Sequence, residues 1–227
     1  MKRVTFILTI LAIFCILAGG CGQPSVEETT EVMRDLTISV ENSCQPDSGQ
    51  NILDFKSSTD SYLSPEFDSI VDGSDAIVRG TVKKVVFTQF DGVAWTKADM
   101  LVTDSLKGDF QKGDLISVFI PGGYISLADH IAAYDNAFRY ENLTPKEIEN
   151  TIIKDTVNGE RFAQVGDDYI YCLVKTIEGS PLPDNAYERV SSYGQLAINN
   201  SGNYVQERFE SGRVVSISPE KFKSYIK

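Results

Sequence analysis

Polar and apolar residues alternate with the period of a strand over most of this chain, and helical spacing appears only in short stretches. In residues 75–87 (DAIVRGTVKKVVF), Ala76, Val78, Gly80 and Val82 alternate with Ile77, Arg79, Thr81 and Lys83. That is the signature of a half-buried strand, and a glycine inside it marks a bulge or a close backbone approach. Residues 94–106 (AWTKADMLVTDSL) predict a second strand with Ala98, Met100 and Val102 on one face, and residues 115–120 (LISVFI) a third, stopped by Pro121-Gly122-Gly123. Residues 169–174 (YIYCLV) are apolar on both faces, as a central strand requires. Residues 195–198, 203–209 and 213–217 extend the series, and residues 35–40 (DLTISV) predict a short strand before the loop chemistry of residues 42–50.

Helix signals are fewer and carry their own start marks. Ser64-Pro65-Glu66 precedes Phe67, Ile70 and Val71, spaced i, i+3, i+4, with Gly73 as a stop. From Ser126 the period changes. Ser126 and Asp129 fit a capping box ahead of Leu127, Ile131 and Tyr134. Thr144-Pro145-Lys146-Glu147 fits a second, opening a helix with Ile148 and Ile152 on one face and Asn158-Gly159 as its stop. Ser218-Pro219-Glu220 opens a C-terminal helix carrying Phe222, Tyr225 and Ile226. The expectation is one mainly β domain over residues 52–227, with six or seven strands, a helical insertion at 126–160 and short N- and C-terminal helices. A strongly curved sheet or small barrel fits this spacing.

Composition changes the picture at the N-terminus. The 227 residues are 42% hydrophobic and 23% charged, ordinary for a globular chain, and the net charge of −11 leaves no basic surplus for nucleic acid. Residues 1–21 read MKRVTFILTILAIFCILAGGC: Lys2 and Arg3, an uncharged apolar run over residues 4–18, then small residues and Cys21. The run is short for a membrane span and suits a signal peptide. It resembles the lipobox of bacterial lipoproteins, with Ala18 at the third position before the cysteine and Leu17 one further back. The resemblance implies a diacylglyceryl thioether on Cys21, cleavage of residues 1–20, and anchoring to the extracytoplasmic face of the cell membrane. Cleavage removes Lys2 and Arg3 and no acid, so the mature chain is more acidic still. Residues 21–51 then read as the lipidated cysteine and a flexible stalk, starting with GQPSVEETTE.

A second resemblance lies in residues 74–175 outside the helical insertion. The runs SDAIVRGTVKKV, SLKG, ISVFIPGG and VGDDYIYCLV are similar to small secreted OB-like domains grouped with netrin and tissue metalloproteinase-inhibitor modules, and to uncharacterised lipoproteins of Gram-positive bacteria. It implies an OB-like barrel. The inhibitors use a free N-terminal cysteine, which acylation of Cys21 removes, so no inhibitory role carries over.

Few residues promise chemistry. His130 is the sole imidazole, with Ser126 four positions earlier, but Ser126 is better explained as a helix cap, and no G-x-S-x-G elbow, HExxH or paired CxxC occurs. The acids Asp99, Asp104, Asp167, Asp168 and Glu178 fall at strand ends or turns, where a carboxylate pair would suit a glycosidase. Asp109 and Asp114 flank a turn without the spacing of a calcium loop. Cys44 and Cys172 are an even pair outside the cytoplasm: either a disulfide, or two thiols with Cys172 a small buried apolar group. Trp95, Tyr187, Tyr193 and Tyr204 are candidates for a stacking platform or for ordinary half-buried packing. These residues point to a non-enzymatic binding or interaction module with an envelope protein or glycan as partner, without metal or cofactor. A cell-envelope hydrolase using paired carboxylates is the alternative.

Overall fold

The computed structural model describes residues 33–41, 43–58, 65–208 and 212–227. The signal and lipidation residues 1–21, the stalk residues that follow them up to 32, Ser64 and Phe209 lie outside them. The backbone is mainly β, with twelve strands among the described residues.

Its centre is a long hairpin, β3 (Ala76–Phe90) and β4 (Val93–Lys107), turned by Asp91 and Gly92, both at positive φ. An Asp-Gly pair adopts that conformation readily, and its twist matches that of the strands it joins. β5 (Leu115–Pro121) pairs with β4, and β8 (Asp168–Lys175) pairs with the opposite edge of β3. β9 (Tyr187–Arg189) then pairs antiparallel with β8 and parallel with β5. The ring β3-β4-β5-β9-β8 therefore closes on itself, a five-stranded Greek-key barrel of the OB type. Val78, Val82, Ala98, Met100, Ile116, Val118, Tyr171 and Leu173 fill its interior. Gly80 marks a close approach: an added Cβ would lie 3.0 Å from the Met100 sulfur and 3.1 Å from the Leu101 carbonyl, beside a shift in strand register.

A meander of β10 (Gln195–Ile198), β11 (Tyr204–Arg208) and β12 (Arg213–Ile217) continues the sheet beyond β8. With α1 (Phe67–Asp72) and α4 (Pro219–Lys223) it encloses a second core around Ile70, Ile77, Ile170, Cys172, Leu196 and Phe222. A separate three-stranded sheet joins β2 (Asn51–Ser57), β7 (Thr151–Val157) and β6 (Gly123–Ser126). Above it lie α2 (Leu127–Tyr134), a 3-10 turn (Ala137–Tyr140) and α3 (Pro145–Glu149).

Three sequence expectations change. The helix opened by Thr144 stops at Glu149, and the residues expected to continue it form β7. Thr151, Ile152 and Ile153 are β-branched and bury their side chains against β2 and β6 more completely than a helix surface would allow. The stalk expected over 21–51 does not reach that far. β1 (Asp35–Leu36) pairs in parallel with β5, Ile38 and Val40 pack beside Trp95 and Phe119, and β2 begins at Asn51. Last, α1 begins at Phe67 with Glu66 as its N-cap, so Pro65 precedes the helix instead of opening it.

Candidate binding cleft

Alternation along β7 puts Ile153, Asp155 and Val157 on one face, and the register of β2 places Phe55 and Ser57 beside Asp155 and Val157. Over this face runs α2, held by its first turn: Ser126 Oγ accepts from the Asp129 amide at 3.0 Å and donates to the Asp129 carboxylate at 2.7 Å. Helical spacing then projects His130 and Tyr134 from the same side of α2. Asp135 reverses the chain with φ of 48°, and the 3-10 turn delivers Phe138 and Arg139. The result is a cleft of about 520 Å³, floored by Ile125, Ile153 and Phe55 and rimmed by Tyr134 and Phe138. Phe138 is 69% exposed, an unusual position for a large aromatic side chain unless something covers it.

The polar groups inside are few. The His130 Nε2 lies 3.1 Å from the Asn136 side-chain nitrogen. The ring also packs against Phe55 and Tyr134, with centroids 5.8 and 5.0 Å away. Burial holds the imidazole below its ordinary pKa, opposed by the Asp155 carboxylate and reinforced by Arg139. Burial raises the Asp155 carboxyl, opposed by the hydroxyl of Ser57, which donates to it at 2.7 Å. The buried Asn136 Oδ1 has no hydrogen-bond partner among the described residues. The cleft thus offers an apolar, aromatic-lined volume with one unused acceptor at its wall. Such a site holds an apolar or aromatic group while accepting one hydrogen bond from its carrier.

Of the residues singled out from sequence, Asp104 and Asp168 come together at Arg79, which is the cross-strand neighbour of Asp104 and the ion-pair partner of Asp168; the others lie apart from them. Ser126 is a cap, and the only serine in the cleft, Ser57, spends its hydroxyl on Asp155, so no serine–histidine relay forms among the described residues. Asp167 holds Arg161, Asp168 holds Arg79, and Asp99 is bound to Lys97 and Ser117. Each of these carboxylates is engaged by a different cation. Asp114 is occupied by the Arg34 guanidinium, and no group of three or more metal-binding side chains occurs among the described residues. No helix among them is long and apolar enough to cross a membrane.

Cys44 and Cys172 are both free thiols. The Cys44 amide donates to the Phe87 carbonyl at one end of β3, and Cys172 sits opposite Ile77 near the other. Ten residues of strand, about 30 Å, separate those points, far beyond disulfide reach. Of the two alternatives for the aromatic residues, ordinary packing holds: Trp95 packs with Phe119 and Leu182, Tyr193 and Tyr204 are buried, and the half-buried Tyr187 meets Phe110 edge-to-face. Among the described residues the large exposed aromatics are Tyr134 and Phe138 instead. Phe138 carried a legible signal, an apolar ring in the otherwise polar run DNAFRYEN. Asp155 and Phe55 had none, because only the pairing of two strands about a hundred residues apart in sequence brings them together.

Compared with known proteins, the chain matches no protein-family model, no curated protein and no solved structure. The class rests on the geometry alone: a mainly β, OB-type barrel carrying a second small sheet and an aromatic-lined cleft.

Proposed function

We propose that this protein is a lipid-anchored, extracytoplasmic binding module whose cleft receives an apolar segment of an envelope partner protein. One observation carries the reading: the exposed Phe138 and Tyr134 rim an apolar cleft containing an unpartnered buried acceptor, Asn136 Oδ1. The N-terminal pattern ending at Cys21 supports the anchoring. With Arg34 already bound to Asp114 and Leu115, any tether would be confined to the residues before it.

A photo-crosslinking residue at Phe138, in cells, tests the binding role, with the equally exposed Val214 on β12 as control. Discrete protein adducts from position 138, absent from position 214, are expected. Identical adduct patterns at both positions overturn the reading, as does turnover of cell-wall glycan that survives Phe138→Ala. The anchor is tested separately by Cys21→Ser: release of the processed protein from the membrane is expected, and full retention refutes lipidation.

A further inference from the structure

β11 divides its side chains between two environments. Tyr204 and Gln206 are buried, with Tyr204 against Phe222 of α4, so Val205 and Glu207 project from the other face. There they meet Gln195 of β10, Arg189 of β9, and Glu160 and Arg161 from the segment after β7. These residues line a cavity of about 370 Å³, which shares no wall residue with the cleft at His130.

The hydrogen-bonding capacity of its walls is unevenly used. Arg161 commits all four N–H bonds of its terminal nitrogens. Two reach the Asp167 carboxylate at 2.9 Å each, one the Phe162 carbonyl at 3.2 Å and one the Tyr169 hydroxyl at 2.5 Å. Arg189, with a side chain 3% exposed, donates from Nη1 to Glu160 Oε2 at 2.5 Å and to Gln195 Oε1 at 3.3 Å. Its buried Nε has no partner among the described residues, and neither has Glu160 Oε1, the second oxygen of the carboxylate that Arg189 holds. Glu207 is exposed, and no ion pair or hydrogen bond among the described residues engages its carboxylate.

The charges on the walls select the sign of a ligand. Arg161 is balanced by Asp167 and Arg189 by Glu160, so the Glu207 carboxylate is the one left over. An anion would add to that excess and would bring no hydrogen to Glu160 Oε1. A neutral ligand would take water from the carboxylate and return no charge. An ammonium cancels the excess, and its three N–H bonds suit the acceptors that Glu160 and Glu207 leave open.

The Arg189 Nε adds a second requirement, because a cation that covered this N–H without an acceptor would leave it unpaired. Nε and Glu160 Oε1 are the two unused ends of one ion pair, so a ligand a few bonds long reaches both. An oxygen close to the ammonium nitrogen meets the donor while the positive charge stays on the carboxylates.

We infer that this cavity binds a small primary amine bearing a hydroxyl close to its ammonium group, the chemistry shared by amino sugars and amino alcohols. Glu160 and Glu207 hold the ammonium, and Arg189 Nε donates to the hydroxyl oxygen. The site stands whether or not the cleft at His130 binds a protein.

The test is isothermal titration of the full chain in a sugar-free, uncharged detergent and phosphate buffer at about pH 6, where primary amines are charged. Glucosamine and ethanolamine are the probes, and each has a comparator. N-acetylglucosamine keeps the ring and loses the charge, while ethylamine keeps the charge and loses the hydroxyl. Saturable binding of at least one probe is expected: glucosamine alone assigns the site to amino sugars, and ethanolamine as well assigns it to amino alcohols in general. N-acetylglucosamine should bind roughly tenfold more weakly than glucosamine or worse, and ethylamine about threefold more weakly than the tighter probe. Glu207→Gln, an exposed change that keeps the side-chain shape, should weaken the amine by roughly three- to tenfold and leave N-acetylglucosamine as it was. Glu160→Gln should also weaken it; its melting temperature is measured alongside, and Glu207→Gln carries the test if loss of the buried partner of Arg189 prevents folding. Phe138→Ala, in the other cleft, should leave amine binding unchanged. The proposal fails if neither amine saturates at tens of millimolar, which would mean that the cavity holds water only. It also fails if N-acetylglucosamine binds as tightly as glucosamine, or if ethylamine binds as tightly as the tighter probe. Parent-like binding by Glu207→Gln, or loss of the signal in Phe138→Ala, overturns it equally.

Discussion

Arg34 grips Asp114 with two atoms: Nε donates to Oδ1 at 2.8 Å, and Nη2 bonds Oδ2 while also reaching the Asp109 carbonyl at 3.0 Å. Asp114 is nearly inaccessible, and its Oδ2 also accepts from the Gln111 amide. The pair fastens the N-terminal segment to the β4–β5 turn, next to the parallel pairing of β1 with β5. The guanidinium holds the Asp114 carboxyl below its ordinary pKa. A lowered pKa means that the native state keeps its advantage above the ordinary carboxylate range and loses it as pH falls through the lowered value. Arg34→Gln should therefore move acid unfolding to higher pH and speed amide exchange at Ile38 and Leu115. Unchanged exchange across residues 33–41 would show that the segment is held without this contact.

His130 gives the protein a second pH dependence, of the opposite residue type but the same sign. Burial depresses its pKa, so below the ordinary imidazole value the unfolded chain binds more protons than the folded one. Stability should be complete above the ordinary imidazole range and should decline as pH falls through it toward the lowered value. His130 is the only histidine in the chain, so no other imidazole contributes, while the raised Asp155 carboxyl beside it acts in the opposite direction. Urea unfolding of the parent and of His130→Gln across this interval checks it: the variant's stability should not decline there. A variant that declines as steeply as the parent would move the effect to another group.

Gly92 sets the distance between the β3–β4 turn and α2. Its φ is 75°, and an added Cβ would lie 2.0 Å from the Ala133 Cβ. Gly92→Ala should cost about 2 kcal/mol by denaturant unfolding and shift the His130 ring resonance as α2 moves away. Ala133→Gly in the same chain should recover part of that loss, because it removes the collision and leaves the backbone strain. No recovery would place the whole cost in the strained φ.

The two thiols should differ sharply in reactivity. Burial pushes the Cys172 thiol up to about 12, and the half-buried Cys44 is raised more modestly, by burial and by Asp129. The thiolate is the reacting species. Iodoacetamide at about pH 8 should therefore label Cys44 slowly and Cys172 only after denaturation. Peptide mass spectrometry distinguishes the sites. Native labelling of Cys172 would show that the core around Phe222 and Ile70 opens readily.

Strands whose apolar residues alternate against polar ones were legible to within a few residues: β3, β4, β10 and β12 fall where the pattern places them, and β8 falls where its unbroken apolar run does. Capping chemistry was equally local, and Ser126, Thr144 and Ser218 all cap the helices that they announce. β2, β7 and β9 were not legible. β7 was hidden because Ile148 and Ile152 mimic helical spacing, and nothing nearby reveals the partner strand that makes extension preferable. β9 is three residues long, and it is defined by the two strands that it joins.

The sequence by itself determined the acidic charge and, from residues within a turn or two of one another, the mainly β class, the strand faces and the helix starts at Ser126, Thr144 and Ser218. Tertiary structure decided what lies together: the closure of the barrel through β9, the docking of residues 33–57, and both cavities. Phe55 meets Asp155, and Glu160 meets Arg189, only after long loops close. Local patterning carries no record of which distant partner will satisfy a buried group, because that choice is made by packing and hydrogen bonding across the whole fold.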